Sequence, residues 1–198
     1  MTRLLLASGS ETRRRMLADA GVAFEVQPSP ADEEAAKRQL LAQGVGATDL
    51  ALALSELKAL AVAADPDVLV LGSDQVLELD DGSMLNKARS LEEAADQLRS
   101  MSGRPHRLQA AAALASAGEL VWRGVETVHL RMRPLTETFI SDYLAAEFSS
   151  VRYDVGVYRI EGPGVQLFDE IEGSHFAILG MPLLPLLGEL RRRDVLAS

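Results

Sequence analysis

An α/β domain built on a mixed β-sheet is what this sequence of 198 residues predicts. Three observations carry that prediction. Short apolar runs with the length of buried strands alternate with helical segments that open on polar caps and close on glycine. Two long strand-like runs flank a short turn, so at least one hairpin adds antiparallel pairing. No repeat, low-complexity tract or long linker interrupts the alternation, and residues 1–198 read as one continuous domain.

The elements follow in order. Arg3 to Ala7 is an apolar run suited to a buried strand, and Ser8-Gly9-Ser10-Glu11-Thr12 supplies turn and capping residues. Arg13 to Ala20 carries helix formers and is closed by Gly21. Ala23 to Gln27 alternates as a strand does, and Asp32 to Gln43 is helical up to Gly44. Thr48 is placed to cap a longer helix in which Leu50, Leu54, Leu57 and Ala61 share one face. Val68-Leu69-Val70-Leu71-Gly72 is the strongest buried-strand signal, and a short strand from Val76 to Leu79 ends in the turn Asp80-Asp81-Gly82. Ser90-Leu91-Glu92-Glu93 is a capping box, with Leu91, Ala94, Ala95, Leu98 and Met101 on the inner side of its helix. The runs His106 to Ala115 and Leu120 to Met132 form the hairpin around Ser116-Ala117-Gly118-Glu119. Thr136 to Phe148 is a helix, Val155 to Ile160 and Val165 to Phe168 are short strands, and Pro182 opens a last helix.

Composition narrows the function. Apolar residues make up 47% of the chain, enough for a core that needs no covalent staples. The absence of cysteine excludes disulfides and thiolate metal sites and accords with a reducing compartment, so a cytoplasmic location is expected. The opening Met1 to Ser10 has four apolar residues in a row, too few for a secretory leader, and no segment reaches the length of a membrane span. A soluble protein with no membrane partner is expected. Twenty basic against 29 acidic residues leave a net charge of −9, which disfavours a nucleic acid polymer as partner. An anionic ligand would have to be drawn by local cations and a metal.

Two loops could bear chemistry. Ser8-Gly9-Ser10-Glu11-Thr12-Arg13 leaves a strand and opens a helix, where free N–H groups and the helix dipole suit a phosphate; a plain helix cap is the alternative. The Walker and GxGxxG patterns are both absent. In Gly72-Ser73-Asp74-Gln75, Asp74 directly follows a buried strand, where a carboxylate can hold magnesium, accept a proton from water, or merely cap a turn. Lys58 interrupts an apolar face, and Lys87 follows a loop between a short strand and a capped helix; an ordinary solvated surface lysine is the alternative for each. His106, His129 and His175 have no metal-ligand spacing and read as structural or surface groups.

Taken together, the motifs resemble the Maf family of nucleotide pyrophosphatases. The resemblance lies in Ala7-Ser8-Gly9-Ser10-Glu11-Thr12-Arg13, Pro30-Ala31-Asp32-Glu33, Leu54-Ser55-Glu56-Leu57-Lys58-Ala59, Gly72-Ser73-Asp74-Gln75 and Asn86-Lys87-Ala88. It continues through Met101-Ser102-Gly103-Arg104-Pro105-His106, Gly156 to Gly162 and Ile171 to Pro182, in order over nearly the whole chain. The resemblance implies an elongated mixed sheet flanked by helices, with two lobes around a central cleft, the Maf/ITPase-like arrangement, and a homodimer. It implies water attack on the α-phosphorus of a nucleoside triphosphate, with pyrophosphate leaving. Asp74, Lys58 and Lys87 would be catalytic, and Ser8, Ser10, Arg13 and Gln75 would bind substrate. Asp74 and Glu33 would hold a divalent metal, magnesium or alternatively manganese. The Gly-Ser-Asp-Gln form is similar to the branch that favours 7-methyl-GTP over the branch acting on dTTP and UTP.

Three positions depart from the pattern. Glu11 and Thr12 stand where a proline and an arginine are usual, Asn86 and Ala88 flank Lys87 in place of glycine and proline, and Tyr153-Asp154-Val155-Gly156 lacks a common lysine. These departures support an alternative, a nucleotide-binding regulator linked to cell division with weakened chemistry.

Overall fold

The computed structural model describes residues 3–197, so Met1 and Thr2 of the opening segment lie outside the described residues. The strands are β1 (Arg3–Leu6), β2 (Glu25–Val26), β3 (Val68–Leu79), β4 (Met84–Leu85), β5 (Pro105–Ser116), β6 (Glu119–Met132) and β7 (Phe168–Glu172). They form a mixed sheet in the order β2-β1-β3-β5-β6-β7, with β4 paired to β3. β1 runs parallel to both β2 and β3, whereas β4 is antiparallel to β3 and β7 to β6. The helices are α1 (Glu11–Asp19), α2 (Glu33–Ala42), α3 (Ala47–Leu60), α4 (Leu91–Met101), α5 (Glu137–Val151), α6 (His175–Ile178) and α7 (Leu183–Arg192). The chain divides into two units, one of Met1–Gln75, Gln109–Glu126 and Ser174–Ser198 and the other of Val76–Leu108 and Thr127–Gly173.

The first unit is a three-layer sandwich, and strand alternation explains it. Leu4 and Leu6, Leu69 and Leu71, and Ala112 and Leu114 point to one face, where Met16 and Leu17 of α1 and Leu183, Leu186 and Leu190 of α7 cover them. Leu5 and Ala7, Val68 and Val70, and Ala113 and Ala115 point to the other face, against Ala59 of α3 and Val62 beyond it. Each fully buried leucine contributes about 1.5–3 kcal/mol, so the central strands are held from both sides. Helix α2 packs on α3 without burying a residue of its own.

Three sequence expectations change here. The two strands expected at Val68–Gly72 and Val76–Leu79 are one continuous strand, because Ser73, Asp74 and Gln75 all find polar partners and need no turn. Asp74 therefore lies within a strand and not just after one. Thr48 does not cap α3: Gly46 does, and Thr48 is already helical. Finally, the buried face of α3 takes Ala47, Leu50, Ala51, Leu54, Ser55, Lys58 and Ala59, so Lys58 is buried where Leu57 was expected.

In the second unit α4 packs on α5. Ser90 caps α4, its Oγ accepting from Glu93 N at 3.1 Å, while Glu93 reaches back to Arg89 N at 2.9 Å. Leu91, expected on the inner side, is 52% exposed at the first helical position, and Gln97 takes the inner place beside Ala94, Leu98 and Met101. Val155 to Ile160 is not a strand. Gly156 and Val157 have φ of 83° and 60°, which breaks an extended run, and a Cβ at Gly156 would meet the Tyr158 ring at 2.6 Å. Nor does a strand span Val165–Phe168: Pro163–Leu167 is a 3₁₀ turn started by proline, and β7 begins only at Phe168.

Tyr158 turns inward to His106, whose Nε2 lies 3.0 Å from the phenol oxygen, and packs edge-on against Phe168. Burial pushes the His106 imidazole down to about 4. It is neutral in the fold but takes up a proton in the unfolded chain near pH 6.5, so its contribution is complete above that pH and is lost as pH falls toward 4. Between pH 7 and pH 5 the unfolding free energy should fall through this group by about 2 kcal/mol. Urea titrations should show that fall reduced by this amount in His106→Gln, and an identical fall in both proteins would refute the assignment.

Candidate active site

The site is assembled around the middle of β3 in the first unit. Gly72 is the reason two elements meet there. A Cβ at that position would lie 2.0 Å from the Ser55 carbonyl oxygen and 2.6 Å from Ala59 N, both backbone atoms of α3. Only glycine lets helix and strand approach this closely. The approach carries Lys58, between those two contacts, onto the next residues of the strand. Its Nζ donates to Asp74 Oδ1 at 2.6 Å and to the Ser73 carbonyl at 3.3 Å. A second carboxylate, Glu33 Oε2 in the first turn of α2, is 2.8 Å away.

Exposure grades these groups. The Lys58 side chain is 6% exposed, Asp74 14% and Glu33 45%. Breaking the buried Lys58–Asp74 pair by removing one partner would cost about 3–5 kcal/mol, because a desolvated charge is left behind. The Glu33 arm is screened by solvent and adds little stability.

Arg13 enters from α1. Its Nε donates to the Gly180 carbonyl and its Nη1 to the Ser73 carbonyl, both at 2.9 Å. Burial lowers its pKa and the charges of Asp74 and Glu33 oppose that, yet a guanidinium stays protonated. Upstream, Ser10 caps α1 by accepting from Arg13 N at 3.3 Å, and Ser8 Oγ accepts from Ser10 N at 3.2 Å. The loop thus leads into a helix N-terminus whose dipole favours an anion. Gln75 donates its Nε2 to the carbonyls of Ala177 and Ile178 at 2.7 and 3.0 Å, which ties β3 to α6.

Glu33 and Asp74 are hard oxygen donors of the type magnesium prefers, and both here meet Lys58. Among the described residues no three or more acidic or histidine side chains are placed to hold a metal unaided. A pair of carboxylates completed by phosphate oxygens and water fits magnesium's octahedral preference.

The profile of the family described as "Maf-like protein" matches residues 3–193 of this sequence. The chain belongs to the Maf-like family. A nucleoside triphosphate pyrophosphatase of Sphingopyxis alaskensis is 50% identical over 189 residues, 95% of this chain and 96% of its own. Another protein of that name, from Granulibacter bethesdensis, is 46% identical, with 98% of both chains covered. A 7-methyl-GTP pyrophosphatase of Rhizobium meliloti is 47% identical, over 95% of this chain and 94% of its own.

In this Maf-like chain Arg13, Glu33, Lys58 and Asp74 come together as one cluster, with Ser8 and Ser10 on the loop leading to Arg13. Lys87 is exposed in the second unit, on a segment that Gln97 fastens by donating to the Asn86 carbonyl at 2.9 Å. Of the departures, Glu11 is exposed and pairs with Arg14 on its own helix. Asp154 accepts from Arg159 Nε at 2.7 Å, and its carboxyl is raised above the usual range, chiefly by burial. Sequence reasoning gave no role to Ser73 or Gly180, which are both buried among these groups. The signal for Ser73 was a hydroxyl continuing an apolar run.

Gly72→Ala forces the α3 backbone off β3 and should cost about 3 kcal/mol, the upper end for overpacking a tight core. The urea midpoint measures it, and an unchanged midpoint would show that the helix can yield at no cost.

Proposed function

We propose that this chain hydrolyses a nucleoside triphosphate to the nucleoside monophosphate and pyrophosphate. Water attacks the α-phosphorus, the bond from that phosphorus to the bridging oxygen breaks, and pyrophosphate leaves with the electron pair. The observation that carries the reading is a buried ammonium, Lys58, held by Asp74 and Glu33 beside the Arg13 guanidinium. The named activity of relatives matched over nearly their whole length supports it.

Arg13 and the loop hydroxyls of Ser8 and Ser10 bind the phosphate tail, and Lys58 offsets the negative charge that grows on the leaving oxygens. Asp74 either accepts the proton of the attacking water or holds the cation. Arg13 and Lys58 against Asp74 and Glu33 sum to no net charge, so these four groups alone do not attract a triphosphate. That is the support for a divalent cofactor, magnesium or manganese, held by Asp74 and Glu33 together with the substrate. Bound there, such an ion would neutralise phosphate oxygens and make the α-phosphorus more open to attack. For Lys87 as a further catalytic cation, the support is the resemblance at Asn86-Lys87-Ala88.

Within the substrate class we place 7-methyl-GTP ahead of dTTP and UTP. The Gly72-Ser73-Asp74-Gln75 sequence and the relative named for 7-methyl-GTP support that order.

Pyrophosphate release should be measured with magnesium on 7-methyl-GTP, GTP, dTTP and UTP. Turnover of at least one is expected, and Asp74→Asn should lower it about 100-fold or more. Intact nucleotide binding with no turnover of any triphosphate would replace the enzyme by a nucleotide-binding regulator.

A further inference from the structure

Ser73 is fully buried in β3 and takes part in a closed ring of hydrogen bonds with Arg13 and Gly180. Its carbonyl accepts from Arg13 Nη1 at 2.9 Å, Arg13 Nε donates to the Gly180 carbonyl at 2.9 Å, and Ser73 Oγ lies 3.0 Å from that same carbonyl. The guanidinium is therefore held at two of its nitrogens by one serine and the glycine that serine can tether. Gly180 has a φ of 102°, and a Cβ there would stand 3.3 Å from Arg13 Nη2, so the backbone leaves room for the planar fork.

We propose that Ser73 is a positioning residue for Arg13, its hydroxyl fixing the Gly180 carbonyl so that the guanidinium presents Nη2 in one orientation. The inference rests on the proposed function at one point, that Arg13 meets the phosphates. A hydroxyl carries a single proton, and Ser73 Oγ also lies 2.8 Å from the Ala111 carbonyl of β5. Ser73 thus has a second effect, stitching β3 to β5, and the test must separate the two. A stitch acts on the whole fold whatever stands at position 13. A positioning residue acts only while Arg13 is present to be positioned.

Two measurements on the full chain make the separation. The first is a double-mutant cycle on kcat/KM for pyrophosphate release. Ser73→Ala should lose about tenfold with Arg13 present and less than about twofold in the Arg13→Lys background, since coupled residues are not additive. The second is hydrogen exchange of the Arg13 side-chain Nε–H in ¹⁵N-arginine-labelled protein, assigned by its disappearance in Arg13→Lys. Ser73→Ala should speed that exchange about tenfold, the effect of losing one modest hydrogen bond. Equal losses of kcat/KM in both backgrounds, or an unchanged exchange rate, would overturn the proposal. Wild-type protein without turnover would overturn the proposed function instead, and the exchange rate would then decide this inference alone. If Ser73→Ala does not fold, Ser73→Cys keeps the volume with a weaker donor and carries both measurements with smaller changes in the same direction.

Discussion

At Gly72 the α3 backbone lies so close to β3 that any side chain would overlap the Ser55 carbonyl. The other features of the polar centre depend on that spacing. A helix packed over an ordinary strand residue stands off by the thickness of side chains, and a lysine at its buried face would end in apolar surroundings with nothing to donate to. Here the helix comes in far enough for Lys58 to reach across the strand to Asp74 and the Ser73 carbonyl. Burying an ammonium costs several kcal/mol, and the geometry offsets it with two carboxylates and a carbonyl around one nitrogen. The small residues of α3 serve the same end, since Ala47, Ala51, Ser55 and Ala59 keep its buried face thin.

The second requirement is that β3 cannot move. Leucines on one face and valines on the other lock its first four residues between α1 with α7 and α3. The strand then continues through three polar residues whose side chains are all engaged: Ser73 with the Ala111 and Gly180 carbonyls, Asp74 with Lys58, and Gln75 with α6. Apolar packing thus fixes the strand from its beginning, and buried hydrogen bonds fix it from the site onward. Such networks specify one arrangement because each unsatisfied member would be costly.

Much of this was legible in the residues. The alternation of apolar strands, the capping loop at Ser10, the capping box at Ser90 and the glycines that end α1 and α2 are local signals that survive in the fold, whereas the cap expected at Thr48 falls to Gly46. The hairpin between β5 and β6 was equally plain. What was not legible depended on partners distant in sequence. Polar residues after Gly72 look like a turn until the carbonyls of residues 111 and 177 to 180 are brought beside them. Val155 to Ile160 has the composition of a strand, but positive φ at residues 156 and 157 and the inward turn of Tyr158 toward His106 decide otherwise. The site divides in the same way. Asp74, Lys58, Arg13 and Glu33 were readable from their motifs, and their convergence is observed. Ser73 and Gly180 lay inside the stretches Gly72-Ser73-Asp74-Gln75 and Ile171 to Pro182, but nothing there linked the serine hydroxyl and the glycine carbonyl to Arg13.

Electrostatics gives the arrangement its direction. The chain carries a net charge of −9, so its overall field opposes an anion, and cations that act on one must be placed where solvent screens them little. Lys58 and Arg13 are such cations, but Asp74 and Glu33 balance their charge, so they offer placed donors and not net attraction. Each is also tied to a carboxylate or carbonyl, which limits its freedom before any ligand arrives. Donors fixed in this way need no reorganisation when charge develops on a phosphate, which is the condition under which they accelerate a reaction most. The departure at Glu11, which set a carboxylate on the loop helix, does not disturb this balance, because Arg14 on the same helix pairs with it at the surface. The charges of the site therefore balance locally, and the acidic exterior acts at longer range, where salt weakens it.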